Sequence, residues 1–401
     1  MINQTEQTLF RLSNLNAEQT RISYQMATGK KIDNGSEDAS TYSREIFVDD
    51  RIRTYEGLKT QIERTTAQNN VSDSTVGEMK KLFELAKTEL IKASTDTTSD
   101  EGRKSIALNI SGIKENLLDL ANTQVEGEYL FSGSDSSIKP FTEDSSGKIS
   151  YQGDNISRKI AVDDGSYRER GINGYDVMTY PSSTAYVGET FNFKESDTII
   201  DEDGSIWEFV PGSEAIPEIP ASGGNPAVPA VPEVLDSIQK FDESGNTIDT
   251  KFISSNDELT PPTYQIDDIG TDDGTKFEAR SSIFDLLDTL TNTLNKVDSA
   301  GNSLTDEEAS ALLAENQGNF SEAYDALNVS HSELGAKNKM FELSLERVSA
   351  KLTQYNILSQ EIGAVDLAEV AIESKNLELT YTALYSTIQK TNELSLVNFL
   401  K

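Results

Sequence analysis

Apolar residues recur every seven positions near both ends of the chain, and the pattern disappears between them. One ladder runs Leu313, Phe320, Leu327, Leu334, Phe341, Val348, Tyr355 and Ile362, with Tyr324, His331, Leu345 and Leu352 set four residues behind its members. A strict seven-residue repeat is the seam of helices that supercoil around each other. On the N-terminal side Tyr55, Ile62, Asn69, Val76, Phe83 and Leu90 repeat in the same way. Leu58, Thr65, Ser72, Met79, Ala86 and Ala93 follow them by three. Shorter helices are predicted through Ile106, Ile110, Ile113, Leu117 and Leu120, and through Ile283, Leu287, Leu290, Leu294 and Val297. At a rise of about 1.5 Å per residue, the stretch 305–362 predicts a helix on the order of 80 Å long. All ten prolines lie between Pro140 and Pro262, outside every ladder, so the ends are free to form uninterrupted helices.

Two weaker amphipathic segments flank these ladders. Residues 1–28 carry Ile2, Leu9, Leu12, Leu15, Ile22 and Met26 on a polar background, a helix that is marginal alone. Gly29 is placed to end it, Asn34-Gly35 to turn the chain, and helical periodicity resumes after Ser43. The last segment, with Leu367, Val370, Leu377, Tyr381, Leu384 and Ile388, is one residue out of register with the long ladder. Gly363 sits at the shift, which predicts a joint before a separate terminal helix ending in 394–400. Two helices this weak are expected to pair with each other and with neighbouring copies, and to become ordered only in an assembly.

From Gly127 onward the periodicity changes. Tyr129-Leu130-Phe131 reads as a short strand, and strand-like runs follow at 148–151, 158–162, 186–193 and 199–210, separated by Asp-Gly or Gly-rich turns. Residues 211–232 are Pro-rich and read as an extended surface loop, a plain linker by composition or a partner-binding segment. The fold class is α+β: an elongated, discontinuous coiled-coil rod built from both chain ends, with a β-rich domain inserted in the middle.

Charge sharpens this picture. Among 401 residues, 68 are acidic and 35 basic, a net charge of −33 that repels polyanions and makes nucleic acid an unexpected partner. Residues 133–282 hold 29 Asp/Glu against 11 Lys/Arg, so the middle is the most solvated part. Cysteine is absent, which removes disulfides and thiolate chemistry and suits a chain that travels unfolded. The first residues lack a basic leader and apolar segment, so no cleaved signal peptide is predicted, and no apolar run approaches the ~20 residues of a membrane span.

Catalytic chemistry has little to work with. The single histidine, His331, falls between Leu327 and Leu334 on the ladder and is read as a seam residue satisfied by a polar neighbour. There is no phosphate loop and no dinucleotide fingerprint. The turns at 163–165, 201–204 and 272–274 are acidic but lack the alternating ligands and closing glutamate of an EF-hand, so hairpin turns are expected there. No enzyme, cofactor or metal site is predicted. Asn69, Asn338 and Gln317 occupy seam positions, either facing solvent at a bundle edge or setting helix register.

The segment from Leu12 through Thr28-Gly29-Lys30-Lys31-Ile32 to Glu37-Asp38-Ala39-Ser40 resembles the N-terminus of the flagellin family, whose hallmark is a Gly-basic-basic-apolar turn before an acidic pair and alanine. The C-terminal 60 residues resemble the paired helix of that family. Gly127-Glu-Tyr-Leu-Phe-Ser-Gly133, Pro140-Phe141, Tyr151-Gln-Gly-Asp154 and the closing 394–400 are similar to the members that join hook to filament. The resemblance covers roughly 1–160 and 280–401. It implies an inner tube domain from 1–42 and 364–401, a coiled-coil rod from 43–135 and 281–363, and an outward β-rich domain over 136–280. It implies a structural adaptor of the bacterial flagellum at the hook–filament junction, exported without a cleaved signal through the type III route to an extracellular position. The expected partners are copies of the chain in a ring, an adjacent hook-associated protein, flagellin, and an export chaperone on the C-terminal helix. Inner-tube assembly contacts are expected at Leu9, Leu12, Ile22, Leu377, Leu384 and Ile388. The rod seam is expected at Tyr55, Ile62, Val76, Phe83, Phe341, Val348 and Leu352. The alternatives are a flagellin, the bulk filament subunit, and a cytosolic coiled-coil scaffold with stably folded ends.

Overall fold

The computed structural model describes residues 2–399 except 96–98, 146, 203–204, 213–234, 242–245, 257–262, 267–275 and 300. The chain opens with helices α1 (Ile2–Thr28), α2 (Ala39–Ala93) and α3 (Asp100–Ala121). Strands β1 (Gln124–Val125), β2 (Glu128–Tyr129), β3 (Phe141–Glu143), β4 (Ile149–Tyr151), β5 (Lys159–Asp163) and β6 (Ser166–Glu169) pair two by two. After a one-turn helix, α4 (Gly174–Met178), come β7 (Thr179–Tyr186), β8 (Phe191–Lys194), β9 (Thr198–Asp201), β10 (Ile206–Val210) and β11 (Ser237–Phe241). They are followed by β12 (Thr247–Phe252), β13 (Ser254–Asn256), β14 (Thr263–Ile266) and β15 (Lys276–Ser282). Helices α5 (Ile283–Leu294), α6 (Asp306–Gly363) and α7 (Leu367–Phe399) close the chain.

Local chemistry sets the helix ends. Gly29 stops α1 with a left-handed φ of +70°, which a side chain disfavours. The next helix starts four residues before the periodicity becomes visible, because Asp38 caps it: its carboxylate accepts from the backbone N–H of Ser40 and Thr41 at 3.0 and 3.1 Å. A capping box starts α6. Thr305 N–H donates to the Glu308 carboxylate at 2.8 Å, and Glu308 N–H donates back to Thr305 Oγ1 at 3.3 Å. The joint expected at Gly363 is where α6 ends.

The chain divides into two compact units. The first comprises Met1–Glu63, Ala161–Tyr167 and Glu342–Lys401, hence α1, α7, the start of α2, the end of α6 and the tip of the β5–β6 hairpin. The second comprises Arg64–Ile160 and Arg168–Phe341 and holds two cores. One packs Phe83, Ile110, Leu117, Phe131, Phe141, Phe284, Leu287 and Phe320 between helices α2, α3, α5 and α6 and the β3–β4 hairpin. The other packs Phe191, Phe193, Trp207, Tyr264 and Phe277 against one face of a six-stranded antiparallel sheet, ordered β12-β11-β10-β9-β15-β7, and of the three-stranded sheet β13-β14-β8.

Several strand readings need correction. The run 186–193 is not one strand: β7 ends at Tyr186 and β8 begins at Phe191, with Gly188 turning between them at φ +83°. The run 199–210 is the β9–β10 hairpin, in which Ile200 faces Ile206. Tyr129 ends β2, and Leu130 and Phe131 leave the strand to enter the core. Most of the Pro-rich 211–232 segment, the turn at 272–274, part of the turn at 201–204, and the side chains of 394–399 lie outside the described residues.

Candidate functional site

In the first unit, α1 and α7 pack side by side. Their shared core is small: Ile22, Val370 and Leu377 are buried, with Leu15, Val365 and Tyr381 packed around them. Polar contacts fix the register. Arg21 Nη2 reaches the Glu373 carboxylate at 3.2 Å, and the Tyr381 hydroxyl donates to Asn16 Oδ1 at 2.6 Å. At the base of the pair the two connectors bridge. Lys31 N–H donates to Gly363 O at 2.8 Å, Val365 N–H donates to Gly29 O at 3.0 Å, and Gln25 Nε2 donates to Lys31 O at 2.7 Å. The Gly-Lys-Lys turn and the glycine joint, far apart in sequence, therefore form one corner.

Of the six side chains expected to make inner contacts, Ile22 and Leu377 are buried, and Leu12, Leu384 and Ile388 are half-buried. Leu9 is 60% exposed. Phe10, Met26, Leu367, Ile372, Leu379 and Tyr385 are also exposed on these two helices. Such a density of uncovered apolar surface on one helix pair makes it a candidate interaction face. The periodicity reading named Met26 and Leu367 but missed Phe10, Ile372, Leu379 and Tyr385, which lie off the row that α1 and α7 use for each other. The available signal was that each helix is apolar on more than one face.

The expected seam residues Tyr55, Ile62, Val76, Phe83, Phe341 and Val348 are all buried, and Leu352 is half-buried. Within the first unit Tyr55 stacks on Tyr355 with ring centroids 5.5 Å apart. The Lys351 ammonium lies 5.3 Å from the Tyr55 ring centre and 2.8 Å from the Asp163 carboxylate. Arg347 approaches Asp163 at 3.6 Å, and Arg51 holds Asp164 at 3.3 Å. The acidic turn at 163–165 is thus a hairpin tip pinned to helices. Burial pushes the Asp163 carboxyl up, but the hydrogen bond from Lys351 and the nearby cations outweigh it and hold it below the usual carboxylate range.

In the second unit, the Tyr-Leu-Phe-Ser-Gly and Tyr-Gln-Gly-Asp segments close on each other. Ser134 N–H donates to Asp154 Oδ1 at 2.8 Å, and the Tyr151 hydroxyl spans Phe131 O at 3.0 Å and Asp154 O at 2.8 Å. Gly174 N–H also donates to Phe131 O at 2.7 Å. Glycine is required at this crossing: a Cβ on Gly133, at φ +84°, would lie 2.1 Å from Asp154 Oδ1, and one on Gly153 would lie 2.4 Å from Ser132 O. The motif is a backbone clasp that ties the chain leaving α3 to the β3–β4 hairpin. Beside it Glu128 draws Arg158 and Arg170 to 3.3 and 3.2 Å.

The remaining polar seam positions have distinct fates. His331 Nε2 lies 3.1 Å from Asp73. Gln317 Nε2 donates to Leu90 O at 3.2 Å and to Ser94 Oγ, closing the end of α2. Asn69 Nδ2 and Asn338 Oδ1 are buried without a hydrogen-bond partner. Among the described residues no three His, Cys, Asp or Glu side chains converge as a metal cage, and no helix is long and apolar enough to cross a membrane.

Comparison with known proteins matches residues 2–136 to the family described as the bacterial flagellin N-terminal helical region. Over 183 residues the chain is 28% identical to flagellar hook-associated protein 3 of Salmonella typhimurium and 30% identical to that of Escherichia coli. Each match covers 45% of this chain and 56% of the relative, so the chain spans little more than half the length of the curated relatives it matches. The crystal structure of flagellar hook associated protein-3 from Legionella pneumophila superposes with a TM-score of 0.50 at 19% identity, over 79% of this chain and 98% of that one, and shares its fold.

Proposed function

We propose that this chain is a structural, non-enzymatic adaptor of the bacterial flagellum at the hook–filament junction, assembled as a ring of copies. The observation that carries the reading is the α1–α7 pair, with three buried apolar residues inside and a larger set of apolar side chains outside. Such a pair is marginal alone and gains most of its stability from helices of neighbouring subunits. Polymerisation then occurs at the growing tip, where partners are present, and not before export. An unpaired α7 is the segment an export chaperone would guard, and a chain without cysteine can be threaded unfolded. In this reading 1–42 and 364–401 form the tube, 43–135 and 281–363 the coiled-coil rod, and 136–280 the outward part. The neighbours are an adjacent hook-associated protein and flagellin.

Deleting the gene and imaging the cells by electron microscopy tests the reading. Bare hooks with flagellin released into the medium are expected. Loss of the filament's own subunit would make the chain a flagellin, and normal filaments would overturn the flagellar reading. A chain lacking residues 367–401 should fail to restore filaments, and its normal incorporation would refute conditional folding.

A further inference from the structure

The β3–β4 hairpin, α4 and the junction of β15 with α5 wall a cleft of about 320 Å³ in the second unit, with Phe141, Ile149, Met178 and Ile206 among its apolar lining. That size is at the lower end of the range for small-molecule sites, about 300–1,000 Å³. Tyr175 lines the cleft and is 5% exposed, and its hydroxyl is buried without a hydrogen-bond partner among the described residues. Native folds rarely leave such a group unmatched. Burial pushes the phenol up, so it keeps its proton and stays able to donate. The Arg280 guanidinium, on the same wall, lies 5.5 Å from the Tyr175 ring centre. Its Nε donates to Thr179 Oγ1 at 2.8 Å, Nη1 to the Glu278 carboxylate at 2.8 Å and Nη2 to Thr179 O at 3.0 Å, which occupies three of its five N–H groups. A phenol and a guanidinium with donors to spare are suited to a carboxylate.

The cleft also holds the opposite sign. Asp285 stands in the first turn of α5, and its carboxylate accepts no hydrogen bond among the described residues. Burial pushes it up, and Lys148, another lining residue, is the cation that offsets this most, yet the two form no ion pair. With Glu278 paired to Arg280 and Asp285 set against Lys148, the charges around the cleft cancel. A simple anion would meet Asp285 and a simple amine would meet Arg280 and Lys148, whereas a molecule carrying both charges finds a partner for each. We propose that this cleft binds a small dipolar molecule of the amino-acid class, its carboxylate held by the Tyr175 hydroxyl and Arg280 with Lys148, its ammonium by Asp285, and its apolar side chain against Phe141, Met178 and Ile206. The inference does not rest on the junction reading, because every residue it uses lies in the second unit and neither α1 nor α7 takes part.

Ligand-observed NMR on the full chain tests it with three probes: L-leucine, isoamylamine, which is leucine without its carboxylate, and isocaproate, which is leucine without its ammonium. Leucine should bind saturably, and each single-charge analogue should bind about tenfold more weakly for one lost charged hydrogen bond. Tyr175→Phe keeps the ring and removes only a hydroxyl without a partner, so the fold is retained. It should weaken leucine and isocaproate several-fold and leave isoamylamine unchanged. Asp285→Asn should weaken leucine and isoamylamine and leave isocaproate unchanged. No saturable binding of leucine at millimolar concentration, equal binding of all three probes, or leucine binding untouched by Tyr175→Phe would each overturn the proposal.

Discussion

The helix pair α1–α7 and the helical core of the second unit are made of the same amphipathic material, yet they bury it differently. In the second unit, Phe83 stacks on Phe320 with centroids 5.1 Å apart, Phe141 meets Phe284 edge-on at 5.3 Å, and the surrounding Leu and Ile side chains are fully covered. Among the described residues of the terminal pair three apolar side chains are buried, and side chains as large as Phe10 and Ile372 face outward. The difference is one of available surfaces. The second unit supplies helices α3 and α5 and the β3–β4 hairpin to cover its seam, whereas α1 and α7 share only a small core. One region is covered by its own chain; under the proposed function the other is completed by neighbouring copies.

Substitutions in the two regions should separate them. The largest effect is expected at Phe284, fully buried where α5, packed on α3, meets β3. Phe284→Ala should cost about 3–5 kcal/mol, lowering the midpoint of the main urea transition. Leu377→Ala, in a core of three that can collapse, should leave that transition in place and weaken assembly. A main transition lowered equally by both would erase the contrast.

Gly133→Ala comes next. The added Cβ meets both the side chain and the backbone of Asp154 at a left-handed φ, so a cost of about 1–3 kcal/mol is expected. Loss of protection in the 130–154 backbone amides on exchange would show the clasp opening.

Smaller again is Asp163→Asn, at about 1.5 kcal/mol for charged hydrogen bonds. Asp163 is held below its ordinary range in the folded chain. Its contribution is therefore complete above the unfolded carboxylate value near ~3.9 and is lost as pH falls through the lower folded value. The melting-temperature gap between wild type and variant should be constant near neutrality and close below about pH 4. The smallest effect is a gain: Asn69→Val removes a buried amide without a partner and should stabilise by about 1 kcal/mol. A gain with unchanged assembly would exclude a register role for Asn69.

The helices were legible because a seven-residue repeat survives over long stretches and its breaks coincide with Gly29 and Gly363. The start of α2 was not, because its first turn carries no ladder residue and depends on the Asp38 cap. The sheets were read only in part. Residues 186–193 contain apolar residues across a turn that only Gly188 reveals, and β15, although its burial alternates, turns only Phe277 and Ala279 inward, a weak apolar signal. In the α1–α7 pair, Ile22 and Leu377 could be found by periodicity because the two helices cover them. Phe10 and Ile372 could not, because they lie off the row along which α1 and α7 cover each other.

The central claim is that the terminal helices are completed by neighbours. Hydrogen exchange followed by mass spectrometry on the monomer tests it most directly. The account predicts that amides of 6–28 and 367–390 exchange within seconds while those around Phe83, Ile110 and Leu287 stay protected. Equal protection in both regions would contradict it, making α1–α7 a stably folded pair that needs no assembly.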